Sequence, residues 1–187
     1  MPRTYHEVPS YFQALYSAQQ IKDANTRIGK EISAWAENVW RHSHTDLLTV
    51  PVLRGGIFFF SDLVREISSS VELAPTFSQG YENSENTQTK QVKVDISGIP
   101  ARGRAVLLVD DVCDSGRTLQ VMTTKLKEAG AQEVRSAVLV KRLIDNPTYH
   151  PDWSGFEYRG PEWFVGYGMD DCNRWRNLDS IFIIKKA

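Results

Sequence analysis

Residues 106–119 read Val106-Leu-Leu-Val-Asp-Asp-Val-Cys-Asp-Ser-Gly-Arg-Thr-Leu119, and the order of chemistry along them decides the fold. A short apolar run, Ala105 to Val109, has the length and composition of a buried strand. A polar loop from Asp110 to Gly116 follows, and Thr118 to Ala129 is predicted helical, with Leu119, Met122 and Leu126 facing inward. Gly130 suits the left-handed position that closes a helix. This is a strand-loop-helix unit, whose natural home is a parallel sheet with helices on its faces.

Working outward, Ser17-Ala-Gln-Gln20 has capping-box spacing and predicts a helix start. Ile21, Ala24, Ile28, Ile32, Trp35 and Val39 then recur at steps of three and four, as the buried stripe of an amphipathic helix does. Leu47 to Leu53 reads as a second buried strand, with Pro51 as an objection, and it runs into Arg54-Gly55-Gly56 and a helix over 57–67. Further strands are predicted at Val134 to Val140, Trp163 to Tyr167 and Ile181 to Ile184. The expectation is an α/β fold with an open, mainly parallel sheet flanked by helices. Ser78 to Gln91 is long, polar and poor in core formers, which fits a mobile lid loop, with plain surface slack as the alternative.

The bulk numbers narrow the class. A chain of 187 residues suits one domain. Its 41% hydrophobic and 24% charged residues are ordinary globular usage. A net charge of -1 gives no global pull toward nucleic acid or membrane. Cys113 and Cys172 are read as reduced thiols, Cys113 as a packing residue because the motif holds no His or Lys to activate it. His6, His42, His44 and His150 lack metal-ligand spacing. Met1 to Val8 does not read as a secretory signal and no apolar run approaches a membrane span, so a cytoplasmic protein is expected.

The chemistry sits where the strand ends. A phosphate at Ser115 to Thr118 would meet unpaired backbone amides, a hydroxyl of Ser115 or Thr118 and the positive end of the helix, with Gly116 allowing close approach. Carboxylates repel phosphate, so Asp110 and Asp111 need other partners. Sugar hydroxyls and a hydrated magnesium ion fit them, the alternative being that the acids only cap the helix.

This segment resembles the diphosphate-sugar signature of the type I phosphoribosyltransferases. Val52-Leu-Arg-Gly-Gly56, Leu139-Val-Lys-Arg142, Trp163-Phe-Val-Gly-Tyr-Gly-Met-Asp170 and Arg176-Asn-Leu178 resemble, in the same order, the hypoxanthine-guanine members. The resemblance implies the type I fold, as a single domain over 1–187 with a small hood built from the N-terminal segment and residues 150–187. It implies transfer of 5-phosphoribosyl from phosphoribosyl diphosphate to a 6-oxopurine, with magnesium as cofactor. By the same resemblance the ribose and 5-phosphate fall to Asp110, Asp111, Asp114, Ser115, Gly116, Arg117 and Thr118. Pyrophosphate falls to Arg54, Gly55 and Arg176, the purine to Lys141, Trp163, Phe164 and Asp170, and the lid contact to Gly80 and Tyr81. Metal contacts, direct or through water, fall to Asp110, Asp111 and Asp170, and proton exchange with the purine ring to Asp114. The family's lid usually carries Ser-Tyr, whereas this chain has Gly80-Tyr81. A homodimer or homotetramer without a nucleic-acid or membrane partner is expected. Two other readings are an RNA-binding, nucleotide-sensing regulator on the same fold and a phosphoribosyltransferase for another base.

Overall fold

The computed structural model describes residues 8–74 and 94–184. A short strand, β1 (Gln13–Tyr16), leads directly into α1 (Ala18–Ser43). Ser17 caps that helix: its hydroxyl accepts from the Gln20 amide at 3.3 Å, and Gln20 Oε1 accepts from the Ser17 amide at 2.9 Å. Such a cap stabilises a helix by about 1 kcal/mol. The predicted stripe of Ile21, Ala24, Ile28, Ile32, Trp35 and Val39 is buried.

The chain continues as β2 (Leu47–Pro51), α2 (Ile57–Arg65), β3 (Val71–Leu73), β4 (Ala105–Cys113), α3 (Arg117–Glu128) and β5 (Glu133–Arg142). It finishes as β6 (Trp153–Tyr158), β7 (Trp163–Val165) and β8 (Ile181–Ile184). A five-stranded sheet runs in the order β3-β2-β4-β5-β6, and every pairing in it is parallel. Its central strands are apolar on both sides because both faces are covered. One face meets Ile28 and Ile32 of α1 and Phe59 and Leu63 of α2; the other meets Leu119, Met122 and Leu126 of α3 with Val94 and Ile99. Phe59 is fully buried, so truncating it to Ala would cost about 3–5 kcal/mol.

Several predicted boundaries move. β4 does not stop at Val109; its register with β5 continues through Val112↔Val140 and Cys113↔Lys141, so Asp110 and Asp111 are strand residues and the polar turn is confined to 114–116. Trp163–Val165 and Ile181–Ile184 are strands, but not of the parallel sheet. They form a separate antiparallel sheet in the order β1-β8-β7, pairing the two ends of the described chain. The stretch assigned to a hood from residue 150 onward therefore divides: 153–158 pairs with β5 in the main sheet, and 163–184 supplies the small one. The lid expectation at 78–91, with Gly80 and Tyr81, lies outside the described residues.

Candidate active site

In an open parallel sheet the strands' carboxyl ends form one rim, where loops turn toward helix starts. Here the exits of β2, β4 and β5 share that rim, because the register brings Pro51 opposite Val109 and Cys113 opposite Lys141.

The acidic pair lies at the exit of β4. Asp110 Oδ1 accepts from the Asp111 amide at 2.9 Å, and Asp111 Oδ1 accepts from the Val112 amide at 2.9 Å. Burial drives the Asp110 carboxyl well above the usual carboxylate range, and the neighbouring Asp111 and Asp114 charges add to the effect. Burial raises Asp111 too, against the pull of its bond to Asp110, its backbone hydrogen bonds and the charge of Arg176. Two adjacent carboxylates, Asp110 buried and Asp111 partly so, favour a shared proton or a bound cation. Among the described residues no group of three or more His, Cys, Asp and Glu side chains could hold a metal ion. An ion at the pair would keep water and substrate oxygens as ligands, which is the habit of magnesium, so the donor set fits it.

Beyond the pair the backbone turns through Gly116 at φ 81°, which stands at the N-cap of α3 and brings no side-chain cap of its own, while Ser115 Oγ accepts from the Arg117 amide at 3.4 Å. Ser115 and Gly116 are held from the other side: Ser115 O accepts from the Thr148 amide at 2.9 Å and from its hydroxyl at 2.7 Å. A Cβ on Gly116 would fall 2.6 Å from Tyr149 Cβ. Arg117 and Thr118 open α3 itself. The result is a backbone cradle with a positive helix end behind it.

The loop 53–56 closes one flank of the acidic pair. A Cβ on Gly55 would meet Asp111 Oδ2 at 1.9 Å, so only glycine lets the carboxylate lie against this backbone. The peptide between Leu53 and Arg54 is cis. Gly168, at φ 100°, lies equally close on the other side, where an added Cβ would be 2.1 Å from Gly55 O. Arg176 ties Gly168 to Asp170: Nη1 donates to Gly168 O at 2.6 Å, and Nη2 pairs with Asp170 Oδ1 at 2.5 Å. Asp170 Oδ2 also accepts from the Asn173 amide at 2.7 Å, and Asn173 Oδ1 accepts from Arg54 Nη2 at 3.1 Å. Arg54, Gly55, Asp111, Asp170 and Arg176 thus belong to one connected array.

The flat wall comes from β7. Trp163 is 43% exposed, and its indole Nε1 donates to Asp170 O at 2.6 Å, which fixes the ring while leaving area for a planar ligand. Phe164 is buried beneath it in the chain. Lys141, at the end of β5, pairs with Glu157 Oε1 at 2.9 Å, a partner that sequence reasoning did not assign. Asp114 pairs with Arg142 at 2.5 Å.

Sequence reasoning missed Asn173, Gly168, Glu157 and Arg142. Asp114 and Arg142 are 28 residues apart, the same offset that joins β4 to β5, so the strand register was the only signal for that pair.

Comparison with known proteins gives the array its family. Residues 17–171 match the family described as "Phosphoribosyl transferase domain". Hypoxanthine phosphoribosyltransferase of Escherichia coli (strain K12) is 30% identical over 168 residues, 87% of this chain and 89% of that protein. The bifunctional protein TilS/HprT of Listeria innocua is 30% identical over 176 residues, 92% of this chain, and the chain spans 26% of that longer relative. A solved structure of hypoxanthine phosphoribosyltransferase from Trypanosoma cruzi superposes with a TM-score of 0.81 at 21% identity, covering 92% of this chain and 95% of that one. The chain belongs to the phosphoribosyl transferase domain family.

Proposed function

We propose that this protein transfers 5-phosphoribosyl from phosphoribosyl diphosphate to a 6-oxopurine, hypoxanthine or guanine first and xanthine as a further candidate. The observation that carries the reading is the meeting, at one sheet rim, of the Asp110–Asp111 pair, the Gly55–Gly168 backbone contact and the glycine-led start of α3.

In this reading the amides at 115–118 hold the 5-phosphate and the carboxylates of Asp110 and Asp111 accept from the ribose hydroxyls. Arg54, the Gly55 backbone and Arg176 hold the pyrophosphate, for which a guanidinium has matching fork geometry. Asp110, Asp111 and Asp170 would hold magnesium directly or through water, and the ion would supply positive charge beside the pyrophosphate. Trp163 stacks on the purine, Phe164 lines it, and Lys141 donates to the 6-carbonyl oxygen, a polarity that disfavours the 6-amino group of adenine. The C1–O bond to pyrophosphate breaks as the purine nitrogen N9 bonds to C1, and the proton on N7 passes to the Asp114 carboxylate. The enzyme works in the cytoplasm as a homodimer or homotetramer. Among the described residues no helix is long and apolar enough to cross a membrane.

A panel of hypoxanthine, guanine, xanthine, adenine, uracil and orotate, each incubated with phosphoribosyl diphosphate and magnesium, tests this by pyrophosphate release. Release with hypoxanthine or guanine supports the reading. Release with none of the bases overturns it.

A further inference from the structure

We propose that Arg142 is a positioning residue for the transfer step: one guanidinium fixes the Asp114 carboxylate and the backbone at 160–162 to each other, so that the proton acceptor and the purine-facing wall keep a set spacing. The inference rests on the function proposed above and adds to it a residue to which neither motif spacing nor chemistry assigned a role.

Arg142 ends β5, a position where a lone arginine would ordinarily be a solvated charge. Its side chain is instead only 13% exposed, while that of its partner Asp114 is 63% exposed. All three guanidinium nitrogens are committed. Nε donates to Asp114 Oδ1 at 2.5 Å, Nη1 donates to Gly160 O, and Nη2 donates to Glu162 O at 3.1 Å. The plane lies over Phe164, 4.4 Å from its centroid, with Tyr158 at 5.8 Å. Phe164 and Tyr158 themselves meet edge to face at 5.1 Å. Asp114 has no comparable support of its own, because it stands in the exposed turn between β4 and α3.

The fork geometry makes the assignment specific. A guanidinium offers donors in fixed directions, so one face of Arg142 can hold a carboxylate while the other two nitrogens hold carbonyls. The carbonyls belong to Gly160 and to Glu162, the residue immediately before Trp163. Moving Arg142 therefore moves two things that the reaction needs at a fixed separation: the Asp114 oxygen beside the purine N7, and the strand start that presents Trp163. A misplacement of about 1 Å costs on the order of 10²-fold in rate when reacting groups lose their geometry.

The test is a double-mutant cycle on the full chain with hypoxanthine as acceptor, using Arg142→Gln, Asp114→Asn and the pair. Arg142→Gln is expected to lower kcat at least tenfold and to raise the KM for the base several-fold. In the Asp114→Asn background the same substitution should leave kcat within about twofold, because the carboxylate it positions is gone, while the base KM still rises. Arg142→Lys keeps a charge for Asp114 but cannot hold both carbonyls, so its kcat should exceed that of Arg142→Gln while its base KM stays raised. If Arg142→Gln does not fold, as judged by thermal melting, the kcat and KM of Arg142→Lys decide alone. A kcat loss that multiplies with that of Asp114→Asn overturns the assignment, as does wild-type kinetics in either Arg142 variant. A wild-type chain that turns over no purine overturns the proposed function, and this inference with it, whereas wild-type turnover with multiplying losses removes Arg142 alone.

Discussion

Gly168→Ala tests whether the contact between the Gly55 and Gly168 backbones sets the pyrophosphate site. An alanine there would place Cβ 2.1 Å from Gly55 O and 3.2 Å from Gly55 C. Carbon and oxygen without a bond between them rest about 3.3 Å apart or more, so one backbone must retreat by about 1 Å. The residue also adopts φ 100°, which an L side chain resists by about 1–2 kcal/mol. Neither neighbour can swing aside as a flexible side chain would, because both are main chain and Gly168 O is additionally bound by Arg176 Nη1. A retreat of about 1 Å at groups that orient a leaving group lowers the rate by about 10²-fold. The expected outcome is therefore a fall of about 10²-fold in kcat/KM for phosphoribosyl diphosphate at saturating hypoxanthine, with the base KM changed less than threefold. The melting temperature should fall by about 2–8 °C, at 2–4 °C per kcal/mol for a chain of this size. Gly98→Ala, where an added Cβ meets nothing within 4 Å, is the control and should behave as wild type. A Gly168→Ala enzyme whose donor kcat/KM stays within threefold of wild type refutes the reasoning.

Three further outcomes are expected. Trp163→Ala should raise the KM for the base by about 5–150-fold, since stacking of a base on an aromatic ring contributes about 1–3 kcal/mol, and Trp163→Phe should restore most of it; equal KM values for the two variants would exclude stacking. Burial pushes the Cys113 thiol up to about 11, so thiolate forms there only near that pH, and iodoacetamide at pH 8 should label Cys172 in the folded protein and Cys113 only after denaturation, as read by peptide mass. Asp110 holds its proton more tightly folded than unfolded, so its ionisation destabilises the fold progressively as pH rises above the ordinary carboxylate range and has no effect below it. In magnesium-free buffer Asp110→Asn should therefore melt higher than wild type at pH 8 and equal to it near pH 3, while losing donor binding; a lower melting temperature at pH 8 would contradict the buried-charge account.

How far the sequence could be read depended on how local each signal was. The proposed donor cradle is contiguous, from Asp110 to Thr118, so its residue types and order stood together in one line. The helices announced themselves through the Ser17 capping box and through apolar spacing. β6 escaped because Trp153-Ser-Gly-Phe-Glu-Tyr158 is an edge strand without an apolar run, held by pairing to β5 rather than by its own pattern. The small antiparallel sheet escaped for a related reason: strands of three and four residues cannot reveal which sheet they join. Glu157 beside Lys141 and Arg142 beside Asp114 are products of strand register, as Gly168 against Gly55 is of tertiary packing, and no local pattern encodes them. Pro51, an apparent objection to a strand, stands where β2 ends.

The small sheet has a consequence for the order in which parts of the rim can form as the chain is made. β8 lies between β1 and β7, so neither of these strands has its sheet partner until residues 181–184 have been made. The acidic pair, the phosphate turn and the strand that flanks them are all translated by residue 142. Asp110, Asp111 and the turn at 114–116 can thus be in place while β7, which carries Trp163, still waits for its partner strand.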